Sequence, residues 1–92
     1  MIKGFRCDDT RALFERGKCK RFSNVAKVAT RKLAQLDAAN TLEFLRSPPG
    51  NRLEPLKGAR VGQYSIRVND QFRPCFRWTS EGPTDVEIVD YH

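Results

Sequence analysis

The sequence offers little from which to build a metal centre or a disulfide framework. Its 92 residues include three cysteines and one histidine. Cys7, Cys19 and Cys75 are odd in number and none forms a Cys-x-x-Cys pair, which argues against a paired disulfide scaffold and against a zinc ribbon. A lone histidine excludes a His-rich site. Three reduced thiols packed as small hydrophobes is the plainer reading. Long apolar runs are missing as well. The longest stretch without charge is Val61 to Ile66, six residues, against the roughly 20 that a membrane helix needs. No basic-then-apolar leader opens the chain. No Walker loop, dinucleotide fingerprint, nucleophile elbow or paired-His motif occurs. These absences lead to the expectation of a cytoplasmic protein without metal, cofactor or membrane contact.

What is present is positive charge. Seventeen Lys and Arg stand against eleven Asp and Glu, for a net +6. Residues 1–35 carry +7, residues 36–77 carry +3 and residues 78–92 carry −4. A basic body with an acidic end favours a polyanionic partner, nucleic acid first among them. Length and composition predict a single domain over residues 1–92, burying roughly 60–65% of the surface its unfolded chain would expose.

The first half reads as helical. Ile2, Gly4 and Phe5 suit a short opening strand. Asp8 or Asp9 is placed to cap a helix through Leu13 and Phe14, with Gly17 to end it. Ser23 or Asn24 is placed to cap a second helix of about four turns, in which Val25, Ala29, Leu33 and Leu36 share one face. Asn40 can start a short third helix through Leu42 and Leu45, which Ser47-Pro48-Pro49-Gly50 stops. Beyond it the period changes to alternation. Leu53 and Leu56 flank a short strand, Tyr64, Ile66 and Val68 lie on a second, and Phe72, Phe76 and Trp78 on a third. Glu81-Gly82-Pro83 turns the chain into a last strand from Val86 to about Asp90.

Parity sharpens this reading. A two-residue loop at Asn69-Asp70 would set Ile66 opposite Arg73 and mix core with solvent faces. A three-residue loop, Asn69 to Gln71, pairs Val68 with Phe72 and gathers Tyr64, Ile66, Phe72 and Phe76 on one face. It also sets Arg67 opposite Arg73, with Arg77 nearby, a juxtaposition of like charges that suits an anion. Pro74 suggests an edge or a bulge. The expected architecture is α+β: an N-terminal strand and a helical hairpin packed on one face of a small antiparallel sheet, with arginines on the other.

Three ordered segments carry a resemblance: Pro48-Pro49-Gly50-Asn51-Arg52-Leu53-Glu54-Pro55-Leu56-Lys57-Gly58, Gly62-Gln63-Tyr64-Ser65-Ile66-Arg67-Val68-Asn69-Asp70-Gln71-Phe72-Arg73, and Val89-Asp90-Tyr91-His92. Together they resemble HigB-type toxins of the RelE/ParE superfamily of bacterial toxin–antitoxin modules. The resemblance implies the fold just described and an mRNA interferase: a metal-independent endoribonuclease that cuts messenger RNA in the ribosomal A site. It implies neutralisation by a helix-turn-helix antitoxin, through whose complex alone operator DNA is bound. In such enzymes the ribose 2′-hydroxyl attacks the adjacent phosphate, so the substrate supplies its own nucleophile.

Residue by residue, His92 matches the family's terminal histidine, with an unperturbed pKa of about 6.5 that suits proton transfer. Tyr91 matches a residue that bonds to or stacks on an unpaired base. Asp90 matches an acid of the terminal motif that orients His92 or the base. Arg73 and Lys57 match cations suited to phosphate and transition-state charge. Arg52, Arg67 and Arg77 are further phosphate-binding candidates. Glu54 departs from the pattern, since some members carry histidine there as a second acid–base group. A carboxylate suits the base role, or simply pairs with Arg52 or Lys57. Taken from composition alone, the terminal Asp-Tyr-His is a solvated chain end. The helical cations, among them Arg16, Lys20, Arg31 and Lys32, suit docking on ribosomal RNA or a solvated helix face. Two alternatives stand beside the nuclease: a same-fold toxin acting on gyrase, and a non-catalytic ribosome- or RNA-binding module.

Overall fold

A computed structural model describes residues 1–48 and 50–91. Two helices, α1 (Asp8–Arg16) and α2 (Ala26–Ala38), precede four strands: β1 (Glu54–Pro55), β2 (Tyr64–Ser65), β3 (Phe72–Thr79) and β4 (Gly82–Asp90). The sheet is antiparallel throughout, in the order β1-β2-β3-β4. The fold is α+β. Among the described residues no helix is long and apolar enough to cross a membrane.

Gly17 ends α1 in the left-handed region at φ 75°, its N–H donating to the Leu13 carbonyl, a conformation that costs glycine no Cβ clash. The capping expectations need correction. The N-cap of α1 is Cys7, and Asp8 and Asp9 lie inside the first turn, where their charge faces the helix dipole's positive end. Likewise α2 starts from Val25 rather than Ser23 or Asn24. A 3-10 turn over Lys20–Phe22 consumes Ser23, whose N–H returns to Lys20, and Val25 N–H bonds Phe22 O. The third helix is a single 3-10 turn, Glu43–Arg46, and Thr41 Oγ1, not Asn40, accepts from Phe44 N–H.

The core lies between the helices and one face of the sheet. Leu13, Phe22, Ala29, Leu33, Leu36 and Leu45 meet Ile66, Val68, Phe72, Phe76, Val86 and Ile88, all buried. Each large side chain withdrawn from water contributes about 1.5–3 kcal/mol. The register is the one parity predicts: Tyr64 opposite Phe76, Ser65 opposite Cys75, and Val68 N–H donating to Phe72 O. Asn69 Oδ1 fixes the three-residue loop by accepting from both Gln71 N–H and Phe72 N–H, an Asx turn.

Pro74 sits on an interior strand, so the edge expectation fails. Its carbonyl accepts from Ile66 N–H, which aims its ring nitrogen at β2, where no hydrogen is available to return the bond. The regular ladder of β2 accordingly stops at Ser65. The bulge lies elsewhere. Register shifts between Cys75 and Arg77, where β4 carries an extra residue, and Asp85 takes φ 52°. The last strand also begins earlier than expected, at Gly82, because the chain reverses over Ser80–Glu81.

The opening residues run parallel to the outer edge of β4. Lys3 N–H donates to Pro83 O, Val86 N–H to Gly4 O and Arg6 N–H to Val86 O. Further along that edge Thr10 Oγ1, fully buried in α1, accepts from Ile88 N–H at 3.0 Å. A helix hydroxyl thus covers the edge where the opening segment leaves it.

Candidate functional site

The sheet face away from the helices carries Ser65, Arg67, Arg73, Cys75, Arg77, Glu87 and Tyr91. At its centre Arg73 is held from three sides. Its Nε donates to Ser65 Oγ at 2.9 Å, its Nη2 to the Arg52 carbonyl at 2.9 Å, and Nη2 lies 3.4 Å from Glu54 Oε1. The side chain is only 12% exposed, whereas that of Glu54 is 54% exposed. A guanidinium has five N–H donors, so this anchoring leaves donors to spare. Ser65 is fully buried beneath it. The polar contact that fixes Arg73 is therefore inside the sheet, and the carboxylate that neutralises it is at the surface.

Each neighbouring strand supplies part of this arrangement. Glu54 pairs in register with Ser65, and Ser65 with Cys75, so carboxylate, hydroxyl and guanidinium converge across three strands. Arg52 takes φ 46°, a sparsely populated conformation for a side chain with Cβ, and its carbonyl thereby reaches Arg73. The Arg52 side chain itself is exposed; its carbonyl is what holds Arg73. Glu54 pairs with Arg73, not with Arg52 or Lys57 as the sequence suggested.

A second cluster adjoins the first. Arg60 Nη1 bonds Glu87 Oε1 at 2.8 Å and Gln63 Oε1 at 3.2 Å. The bond it donates to Glu87 raises the Arg60 guanidinium above its ordinary value. Cys75 Sγ and the Tyr91 hydroxyl lie 3.9 Å apart. Burial pushes the Cys75 thiol up, partly offset by the bond to Tyr91 and the Arg60 charge. Burial also raises the Tyr91 phenol, with Cys75 adding to it and the Arg60 and Arg73 charges opposing. Tyr91 is further held by its N–H donating to Gln71 O, while the Gln71 side-chain amide donates to Asp90 Oδ2. The hairpin loop thus grips the end of β4 on both sides of its last peptide. His92, the remaining member of the terminal motif, lies outside the described residues, as does Pro49.

The other expected cations stand around this centre without touching it. Arg67 pairs with Asp70, whose bond from the guanidinium holds its carboxyl below the usual carboxylate range. Arg77 pairs with Asp85 at 3.6 Å, the bulge having turned that carboxylate toward it. Lys57 is exposed and opens the 3-10 turn Gly58–Arg60. The arginine face is therefore internally paired, but by surface acids, and such pairs are worth only about 0–1 kcal/mol each. An incoming phosphate can replace them at small cost. Among the described residues no group of three or more His, Cys, Asp or Glu could hold a metal ion.

Sequence reasoning missed Ser65, the Arg60–Glu87 pair and the Cys75–Tyr91 contact. Ser65 carried a signal, because the register that places it opposite Cys75 also sets it beside Arg73. Arg60 carried none, since its partner is 27 residues away on β4.

Comparison with known proteins places the chain in a family. A family model described as the RelE-like toxin of the type II toxin–antitoxin system HigB matches residues 3–92. Toxin HigB-1 of Vibrio cholerae serotype O1 is 50% identical over 56 residues, covering 61% of this chain and 59% of that protein. An uncharacterized protein of Haemophilus influenzae is 45% identical over 56 residues, covering 61% of this chain and 55% of its own length. The matched part thus spans little more than half of either relative. With a family match running almost from end to end, the chain belongs to the HigB-like family of RelE-like toxins of type II toxin–antitoxin systems.

Proposed function

We propose that this toxin is a ribosome-dependent endoribonuclease that cuts messenger RNA without a metal and thereby inhibits translation. The observation that carries the reading is Arg73: a nearly buried guanidinium fixed by Ser65 Oγ and the Arg52 carbonyl, beside a surface carboxylate. A cation preorganised in this way stabilises charge that develops on a phosphate without reorganising at the moment of reaction.

In the proposed reaction a base takes the proton of the ribose 2′-hydroxyl, and its oxygen forms a bond to the adjacent phosphorus. The bond to the 5′-oxygen breaks, and an acid protonates that oxygen. The products are a 2′,3′-cyclic phosphate and a 5′-hydroxyl. Glu54 and His92 divide the base and acid roles, with Asp90 orienting the terminal groups. Arg73 receives the phosphorane charge, and the Tyr91 ring offers a stacking surface for a base. Arg52, Lys57, Arg67 and Arg77 supply phosphate contacts along the same face. The proposed partners are the ribosome with its messenger RNA, in the cytoplasm, and a helix-turn-helix antitoxin that silences the toxin and alone carries it to operator DNA.

Primer extension on messenger RNA held in purified ribosomes tests this. The full chain is expected to leave cuts in the A-site codon that vanish when Tyr91 and His92 are removed, while ribosome binding persists. Intact messenger RNA at saturating protein would sink the nuclease and bring forward a gyrase target or simple occupancy of the ribosome.

A further inference from the structure

Adjacent residues in one loop hold two cations on two different elements. The Arg52 carbonyl anchors Arg73, as described. The residue before it, Asn51, is fully buried and bonds on every side: its Oδ1 accepts from Lys32 Nζ of α2, its Nδ2 donates to Gln35 Oε1 and to the Leu45 carbonyl, and its own carbonyl accepts from Arg67 N–H at 2.7 Å. A side chain with all its polar atoms engaged cannot turn away. Lys32 is thereby held against the Asn51–Arg52 loop instead of waving in solvent, as a lysine on a helix face ordinarily does. An ammonium has three donors, and among the described residues Lys32 spends one of them, on Asn51. Among the described residues no acid forms an ion pair with it. Asp70, the acid of the adjoining Arg67, bonds that guanidinium and is 99% exposed.

The register sets Arg67 directly across from Arg73, since Val68 faces Phe72 and Ser65 faces Cys75. Arg67 thus faces Arg73 across the strands, while its backbone N–H bonds Asn51, whose side chain holds Lys32 near enough for the two charges to act on each other. We propose that Lys32 and Arg67 form a second phosphate-binding position, built on buried Asn51, which takes the RNA backbone one step away from the phosphate at Arg73. The proposal rests on the nuclease reading and extends it from a single reacting phosphate to a strand crossing the Asn51–Arg52 pivot. Burial, together with the nearby Arg31 and Arg67 charges, lowers the Lys32 ammonium below its ordinary value. A positive cluster whose acid, Asp70, is fully exposed gains when an anion arrives.

The test uses a short RNA oligonucleotide with a 2′-deoxy sugar at the cut, which binds but cannot react, titrated against the full chain over a range of salt. One lost phosphate contact lowers the slope of log K against log salt by about 0.7 for a single strand. Lys32→Met and Arg67→Gln are each expected to produce that drop, while Lys3→Gln, an equal loss of charge on the far edge of β4, leaves the slope unchanged. On programmed ribosomes Lys32→Met is expected to raise KM several-fold and leave kcat alone, whereas Arg73→Ala lowers kcat. Should Lys32→Met fold poorly, Arg67→Gln carries the measurement, because it leaves the Lys32–Asn51 bond intact. Slopes that fall no further for Lys32→Met and Arg67→Gln than for Lys3→Gln would overturn the second position, as would a wild-type chain that does not bind the oligonucleotide. The expected drops in slope together with uncut messenger RNA would instead overturn the nuclease and leave the second position standing.

Discussion

The two faces of the sheet are made of the same strands and obey different rules. Toward the helices, Ile66, Phe72, Phe76, Val86 and Ile88 are packed against Leu13, Leu33 and Leu36, and what holds them is area withdrawn from water. Away from the helices, Ser65, Arg73, Arg60, Glu87 and Cys75 are held by directed bonds, each with a named partner. The apolar face tolerates exchange of one hydrophobe for another of similar volume. The polar face does not, because moving one atom orphans another. The first is expected to set stability and the second activity.

The largest effect tests the first half of that division. Phe76→Ala removes a fully buried ring and is expected to cost about 3–5 kcal/mol. At about 4–8 °C per kcal/mol for a domain of this size, Tm falls by more than about 12 °C, readable by circular dichroism. Next comes Arg73→Ala, expected to reduce cleavage of ribosome-held messenger RNA by about 100- to 1,000-fold while Tm moves far less. Arg73→Lys should rescue little, since an ammonium cannot serve Ser65, Arg52 and a phosphate in the same fork. If Arg73→Ala melted the protein as Phe76→Ala does, the two faces would not be separable.

How much of this was legible in the sequence follows the same division. Alternation and helical spacing identify the core face, and parity alone gives the register, because a half-buried sheet penalises a slip of one residue. The polar face was half legible. The resemblance pointed to Glu54 and Arg73 separately, but not to their pairing, which depends on a left-handed Arg52 that no local pattern announces. The helix starts were misread for a related reason. Ser23 is a good cap by type, yet as the last residue of the preceding 3-10 turn it has helical angles, φ −58° and ψ −32°, which an N-cap does not take. Competition between neighbouring hydrogen bonds is not written in residue preferences.

A smaller effect probes the seam between the faces. Thr10→Val deletes the acceptor of Ile88 N–H at a covered edge, and an orphaned buried donor costs about 1–3 kcal/mol. Denaturant unfolding should show that loss, with cleavage per folded molecule unchanged. The smallest effect is one of pH. The Cys75 thiol is raised by burial above its ordinary value of 9.0, so the folded chain keeps a proton that the unfolded chain releases. Its stabilising share is intact below pH 9.0 and declines as pH rises beyond it. Cys75→Ala should flatten that decline in Tm measured from pH 8 to about pH 10.5. An unchanged slope would move the titration to another group.

The bulge at Asp85 acts as a phase shifter for everything downstream of it. Because β4 carries one residue more than β3 at that point, Val86 and Ile88 fall on the core side and Glu87, Val89 and Tyr91 on the arginine side. A one-residue deletion there would invert the parity of the rest of the strand. Tyr91 would be delivered to the helices and lose its place beside Cys75, with none of the candidate site residues having been mutated. Insertions and deletions near Asp85 are therefore a different class of lesion from substitutions: they change the address of the terminal motif and leave its spelling intact.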